Sequence, residues 1–155
     1  MSTPTPETAL ARRWRLELNM GSTVTPDWQL YPAVTNFQYE TPPNIEDSST
    51  YDEGGWADNT KTGQSWNVSV THNRKATADA TAYHPVHEAA RAAALAFGAA
   101  SEVGIRWMDR DGLPEAYQGI ALVTWAPAGG ERTALDKVAV TFTGKGVLAQ
   151  IDNPL

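Results

Sequence analysis

The chain contains no cysteine, which removes disulfide frameworks, thiolate metal sites, thiol nucleophiles and iron–sulfur clusters from consideration. Charge is also scarce, at 19% of 155 residues against a usual ~25%. What charge there is leans acidic: 12 Lys plus Arg face 18 Asp plus Glu, for a net charge of −6. Sequence-independent adhesion to nucleic acid is therefore disfavoured. Long apolar runs are missing too, since the stretch Ala89 to Ala100 is interrupted by Arg91 and is too short to cross a bilayer. Arg12, Arg13 and Arg15 break up what would have to be the apolar part of a leader, so neither a secretory signal nor a membrane partner is expected. What remains is a 41% hydrophobic chain, long enough to bury a core without staples, and read as a single domain over 1–155.

Period-2 alternation is the main signal along that domain. Trp14, Leu16, Leu18 and Met20 alternate with charged and polar residues, as do Trp66, Val68, Val70 and His72, then Val103, Ile105 and Trp107, then Val138, Val140 and Phe142. Each marks a strand with one buried face. Trp28 to Tyr31 and Val34 to Thr41 read as extended segments parted by Pro32, and Val147 to Ile151 as a short last strand framed by Gly144 and Gly146. The segment Glu115 to Trp125 carries apolar residues on both faces, Ile120 and Leu122 opposite Tyr117, Ala121, Val123 and Trp125, and is expected to be central and covered twice. One helix is expected over Pro85 to Phe97, opened by His84-Pro85 and closed by Gly98. Its apolar stripe is Val86, Ala89, Ala90, Ala93 and Phe97, with Leu95 on the opposite side. Residues 1–11 read as a mobile arm, and 42–63, rich in Pro, Asp, Ser and Gly, as a long loop; loops of that length are uncommon in compact domains and often functional.

Catalytic chemistry finds no carrier. No Gly-x-Ser-x-Gly, P-loop or Gly-x-Gly-x-x-Gly is present. His84 and His87 have a metal-compatible spacing but only His72 as a third histidine, and read as two partly exposed imidazoles at a helix start. Asp109-x-Asp111-Gly112 opens like a calcium loop, but its twelfth position is Ile120 where a glutamate is needed, so a turn is the better reading. Glu46, Asp47, Asp52, Glu53 and Asp58 lie in a segment without apolar walls to separate their pKa values. No enzyme, metal or cofactor is expected. Of six tryptophans, Trp14, Trp66, Trp107 and Trp125 fall on core-facing positions, while Trp28 and Trp56 lie in irregular segments, Trp56 being the better placed for a partner.

In order along the chain, Trp14-x-Leu16, the loop Tyr51-Asp52-Glu53-Gly54-Gly55-Trp56, Ser65-Trp66, the helix opened by His84-Pro85 and the stretch Arg106 to Gly119 form a recognisable series. Gly119 to Trp125, Val140 to Gly146 and Asn153-Pro154 complete it. The series resembles the tail tube protein of tailed bacteriophages, the major tail protein of long non-contractile tails. That resemblance implies a mainly β fold, a β-sandwich or half-barrel with one flanking α-helix, whose strands join a ring-wide inner β-barrel on oligomerisation. It implies stacked hexameric rings forming the conduit for DNA ejection. The expected partners are other copies of the chain, then tail initiator or distal tail, tape-measure and terminator proteins, with DNA passing only transiently. The expected location is the virion tail, after the host cytoplasm.

On that reading Tyr51 to Trp56 and Leu95 would make contacts between subunits or rings. Ser65, Asn67, Ser69, Thr71, Thr141 and Thr143 would line a smooth lumen or, equally, an ordinary solvent face. Two rival readings stand beside it: a monomeric β-sandwich binding module using the acidic 42–63 segment, and a small carbohydrate-active hydrolase using two of its acids.

Overall fold

A computed structural model of the chain describes residues 6–76 and 81–155. The first part of the arm expected at 1–11 lies outside the described residues, as does the middle of the polar stretch between Asn73 and Tyr83. Residues 6–10 are exposed and lead into a 3-10 turn at Ala11–Arg13.

The strands are β1 (Trp14–Asn19), β2 (Trp28–Leu30), β3 (Val34–Glu40), β4 (Pro43–Asp47), β5 (Asn59–Gln64), β6 (Asn67–Asn73), β7 (Glu102–Asp109), β8 (Ala116–Pro127) and β9 (Lys137–Gln150); the helix α1 spans Pro85–Leu95. Seven strands form one antiparallel sheet in the order β2-β1-β7-β8-β9-β6-β3, and β4 pairs only with β5. The sheet curls into a half-barrel. Trp14 on β1 lies edge-on to Tyr39 on β3 at 5.5 Å between ring centroids, although the two strands share no ladder.

The alternating residues fill the concave side: Leu16, Leu18, Val68, Val70, Ile105, Trp107, Val138, Val140 and Phe142 are all buried. Trp107 sits among Tyr39, Trp66 and Tyr117 at 5.5–5.8 Å, tilted as aromatic quadrupoles prefer. Trp66 is held by absences. A Cβ on Gly144 or Gly119 would come within 2.4 or 2.5 Å of its indole atoms, closer than real contacts allow, so two glycines on neighbouring strands provide its seat, and its Nε1 donates to the Gly146 carbonyl at 3.2 Å. Below that seat β9 bulges: Ile120 pairs with Lys145 but Gln118 with Ala149, and Gly146 takes φ 82°. The expected separate last strand is thus the continuation of β9.

Helix α1 closes the concave side with Val86, Ala90 and Ala93. Pro85 takes the first turn and His84 Nδ1 accepts from Val86 N at 3.3 Å. The helix stops at Leu95, because Ala96 turns extended; Phe97 leaves the helical phase and is 93% exposed instead of joining the stripe. Two further expectations are corrected. Ile120 and Leu122 are exposed, so β8 is covered on one face only, its length of pairing to β7 and β9 having no second layer above it. The segment 42–63 is a β-hairpin, not an irregular loop: Pro43 to Asp47 pair with Asn59 to Gln64. All five residues of β4 are exposed, so the pairing carries no apolar alternation to reveal it.

Candidate assembly surfaces

The hairpin continues the β3–β6 ladder past the end of the sheet. Glu40 pairs with Asn67, Ser65 N and Oγ both donate to the Pro42 carbonyl at 3.1 Å, and Pro43 then pairs with Gln64. Its far end is cross-braced by short polar side chains: Ser48 Oγ donates to Asp58 Oδ2 at 3.1 Å, Asp58 N to Ser49 Oγ at 2.7 Å, and Ser49 N to Asp47 Oδ1 at 2.9 Å. Hydrogen bonds from the Ser49 side chain and backbone hold the Asp47 carboxyl below the usual carboxylate range. A 3-10 turn at Tyr51–Glu53 and the positive φ of Gly54 and Gly55 then reverse the chain. Tyr51 is fully exposed and Trp56 is 83% exposed. The predicted contact residues Tyr51 to Trp56 therefore sit together at the tip of a protruding arm.

Leu95 is placed elsewhere, 71% exposed at the end of α1 beside Phe97. The structure does not bring it near the hairpin tip by any described contact.

Five of the six polar residues expected on a smooth face do come together. On the convex side of the sheet, Thr143 pairs with Asn67 and Thr141 with Ser69, while Thr71 pairs with Ala139. The rows extend in register to Leu122, Thr124 and Ala126 on β8 and to Glu40, Gln38 and Asn36 on β3. Ser65 is the exception, being engaged at the base of the hairpin.

Sequence reading missed two clusters. Glu17, on the polar face of β1, is 3% exposed: Arg106 Nε and Nη2 donate to its Oε1 at 2.9 and 2.6 Å, and Arg15 Nε to Oε2 at 3.3 Å. Trp28 stacks over the Arg106 guanidinium at 4.7 Å. The signal was visible only as Glu and Arg at facing positions of strands whose pairing had to be known first. The second cluster corrects the reading of His87 as partly exposed. His87 is fully buried, stacked on His72 at 3.9 Å with Tyr31 5.0 Å away. Its Nε2 bonds the Pro32 carbonyl at 2.9 Å, and His72 Nδ1 the Asn73 carbonyl at 3.1 Å. Burial pulls both imidazoles down, His87 to about 4, and holds them neutral. Tyr39 and Tyr117 share the Glu115 carboxylate, and burial, then that carboxylate, raises the Tyr39 phenol. Among the described residues no three His, Asp or Glu side chains converge as metal ligands.

A curled seven-stranded sheet with one covering helix and a projecting hairpin is a fold shared with solved phage-tail and related structures. No family model and no curated protein sequence matches the chain. Solved structures do. The tail of an empty gene transfer agent particle, computed with helical refinement and C6 symmetry, aligns with TM-score 0.73 at 14% identity, over 93% of this chain and 99% of that one. The SPP1 tail tube aligns with TM-score 0.66 at 11% identity, over 94% and 81%. A chain of the six-fold symmetrised anti-feeding prophage baseplate aligns with TM-score 0.64 at 10% identity, over the whole of both chains.

Proposed function

We propose that this protein is a structural, non-enzymatic virion component that polymerises as stacked hexameric rings into a tail tube, the conduit for DNA. The observation that carries the reading is the pair of unpaired margins. Strands β2 and β3 end the sheet with open ladders, which are liabilities in a lone subunit and are removed when copies pair around a closed ring. The agreement in fold with tail tubes over nearly the whole chain supports it.

Within such a ring the rows of Asn67, Ser69, Thr141 and Thr143 would form the lumen wall. Short uncharged side chains offer phosphates no positive charge to hold them, and the net charge of −6 disfavours adhesion. Tail initiator, tape-measure and terminator proteins would be the neighbours at the tube's ends and centre. The monomeric module reading is not favoured by these comparisons.

Electron microscopy of concentrated protein tests the proposal: six-fold rings or hollow tubes are expected. Protein that stays monomeric at high concentration, with an initiator complex present, would overturn it.

A further inference from the structure

The two margins of the sheet do not meet, and the gap between them is a cleft of about 400 Å³. Trp14, Leu30, Val34 and Phe37 make its walls, and Arg12 and Arg110 stand at its rim. Nearby charges are already engaged: Arg13 holds Asp109 and Asp111 at 3.3 and 3.1 Å, and Arg15 is on Glu17. Arg12 and Arg110 are exposed and have no carboxylate partner among the described residues. Two uncompensated guanidiniums beside an open apolar cleft are unusual in a chain carrying a net charge of −6.

The hairpin has the complementary chemistry. Residues 43–64 carry Glu46, Asp47, Asp52, Glu53 and Asp58 against Lys61 alone, and end in the exposed rings of Tyr51 and Trp56. It cannot serve its own cleft. Strand β3 runs from the cleft at Val34 to Phe37 away through Glu40 into the hairpin, and the tip lies on the order of 40 Å further at about 3.3 Å per residue. The exposure of all of β4 excludes a fold back onto the body.

We propose that the hairpin tip of one copy docks in the arginine-rimmed cleft of another, its carboxylates against Arg12 and Arg110 and an aromatic ring on the apolar floor. Each copy carries one tip and one cleft at opposite ends of β3, so the contact is head-to-tail and propagates, where a self-complementary patch would stop at a dimer. The proposal rests on the reading that copies of this chain assemble, and names the surfaces they use. Its electrostatic part weakens with salt.

The absence of cysteine from these 155 residues permits a direct test. Ala57→Cys, at an exposed position beside the intact Trp56 ring, and Val34→Cys together should give, on mild oxidation of assembled protein, a ladder of disulfide-linked multimers, whereas either substitution alone stops at a dimer. Arg12→Glu with Arg110→Glu should raise the concentration needed for assembly at least tenfold. So should Glu46→Lys with Asp52→Lys, and the four changes combined should restore it.

A ladder in assemblies that are not tubes would keep this contact and sink the tube reading. Tubes without a ladder would do the reverse. An intrachain link would mean the hairpin folds back and overturns the proposal. So would cleft variants that assemble normally, including any that lose only another tail protein, or a loss that the combined variant fails to repair. Protein that never assembles overturns both.

Discussion

The body and the hairpin share the same antiparallel ladder yet cohere by different means. In the body, aromatic rings fill the concavity and two strands are stripped to glycine so that Trp66 can sit on them. In the hairpin nothing is buried, and Ser, Thr and Asp side chains brace the backbone across water-exposed faces. A two-stranded ribbon of that kind is marginal in isolation, and the body supplies its anchorage at Pro42 and Ser65. Packing therefore decides stability in one region, while the other is free to be shaped by what it must touch.

The sharpest way to break this contrast is one methyl group placed in each region. Gly144→Ala brings a Cβ within 2.5 Å of three ring atoms of the buried Trp66, which must leave its seat to make room, and should destabilise by about 3 kcal/mol. Gly63→Ala in β5 meets only the Asn44 Cβ, at 3.5 Å, and should leave stability in denaturant melts within about 0.5 kcal/mol of the parent. Equal losses would mean that the hairpin is packed as tightly as the body.

The convex face offers the next largest effect. Glu17→Ala strands Arg106 beneath Trp28 and should cost about 3 kcal/mol, as buried pairs do when one partner is removed. Replacing both Glu17 and Arg106 with leucine should recover most of that loss in urea melts. If the single and double variants melt alike, the pair contributes through its packing alone.

These effects also mark where sequence reading succeeds. Strands β1, β6, β7 and β9 were legible because one face of each is buried, and burial imposes the period of two; His72 even appeared in its proper core position. The hairpin was not, since no face of it is buried. Exposed Ile120 and Leu122 misled because a hydrophobic residue announces burial only if a second layer exists. His87 required knowledge that Tyr31 and Pro32, far away in sequence, would roof it. That 51–56 form an exposed turn was legible from Gly-Gly and a tryptophan in an acidic segment, although the arm that carries the turn was not.

Acid should expose the body's dependence on burial in a graded way. His87 is held neutral with a folded pKa of about 4, against 6.5 for a free imidazole, so the unfolded chain binds more protons between those values. Stability is then full above about pH 6.5 and falls as the pH drops towards 4. The loss should be on the order of 2 kcal/mol, taking ~1.4 kcal/mol for each tenfold change in proton affinity and allowing for partial solvent screening. Electrostatic repulsion from the neighbouring His72 and His84 rings and from Arg74 adds to the effect of burial, while Asp136 near His72 and Glu88, which is taken up by Arg74 and Arg91, offset only part of it. Thermal melts of His87→Leu should show a shallower dependence on pH over that range. An unchanged dependence would remove His87 as the titrating group.

The smallest effect on stability belongs to the hairpin, and there the reading of the tip as a contact surface is most exposed to failure. Trp56 touches so little of its own chain that Trp56→Ala should change stability by less than about 0.5 kcal/mol in thermal melts. The few apolar groups of the segment, Ile45, Tyr51 and Trp56, are all exposed, so ordering its backbone, at ~1 to 2 kcal/mol per residue, is offset only by the ladder and its exposed polar braces until a partner arrives. Amides from Asp47 to Thr60 should accordingly exchange fast in the free subunit, well ahead of β6 and β9, and become protected on assembly. The variant should fold as the parent does and assemble poorly. Equal protection of 47–60 in free and assembled protein would make the hairpin a self-sufficient flap, and normal assembly of Trp56→Ala would remove that ring as its anchor.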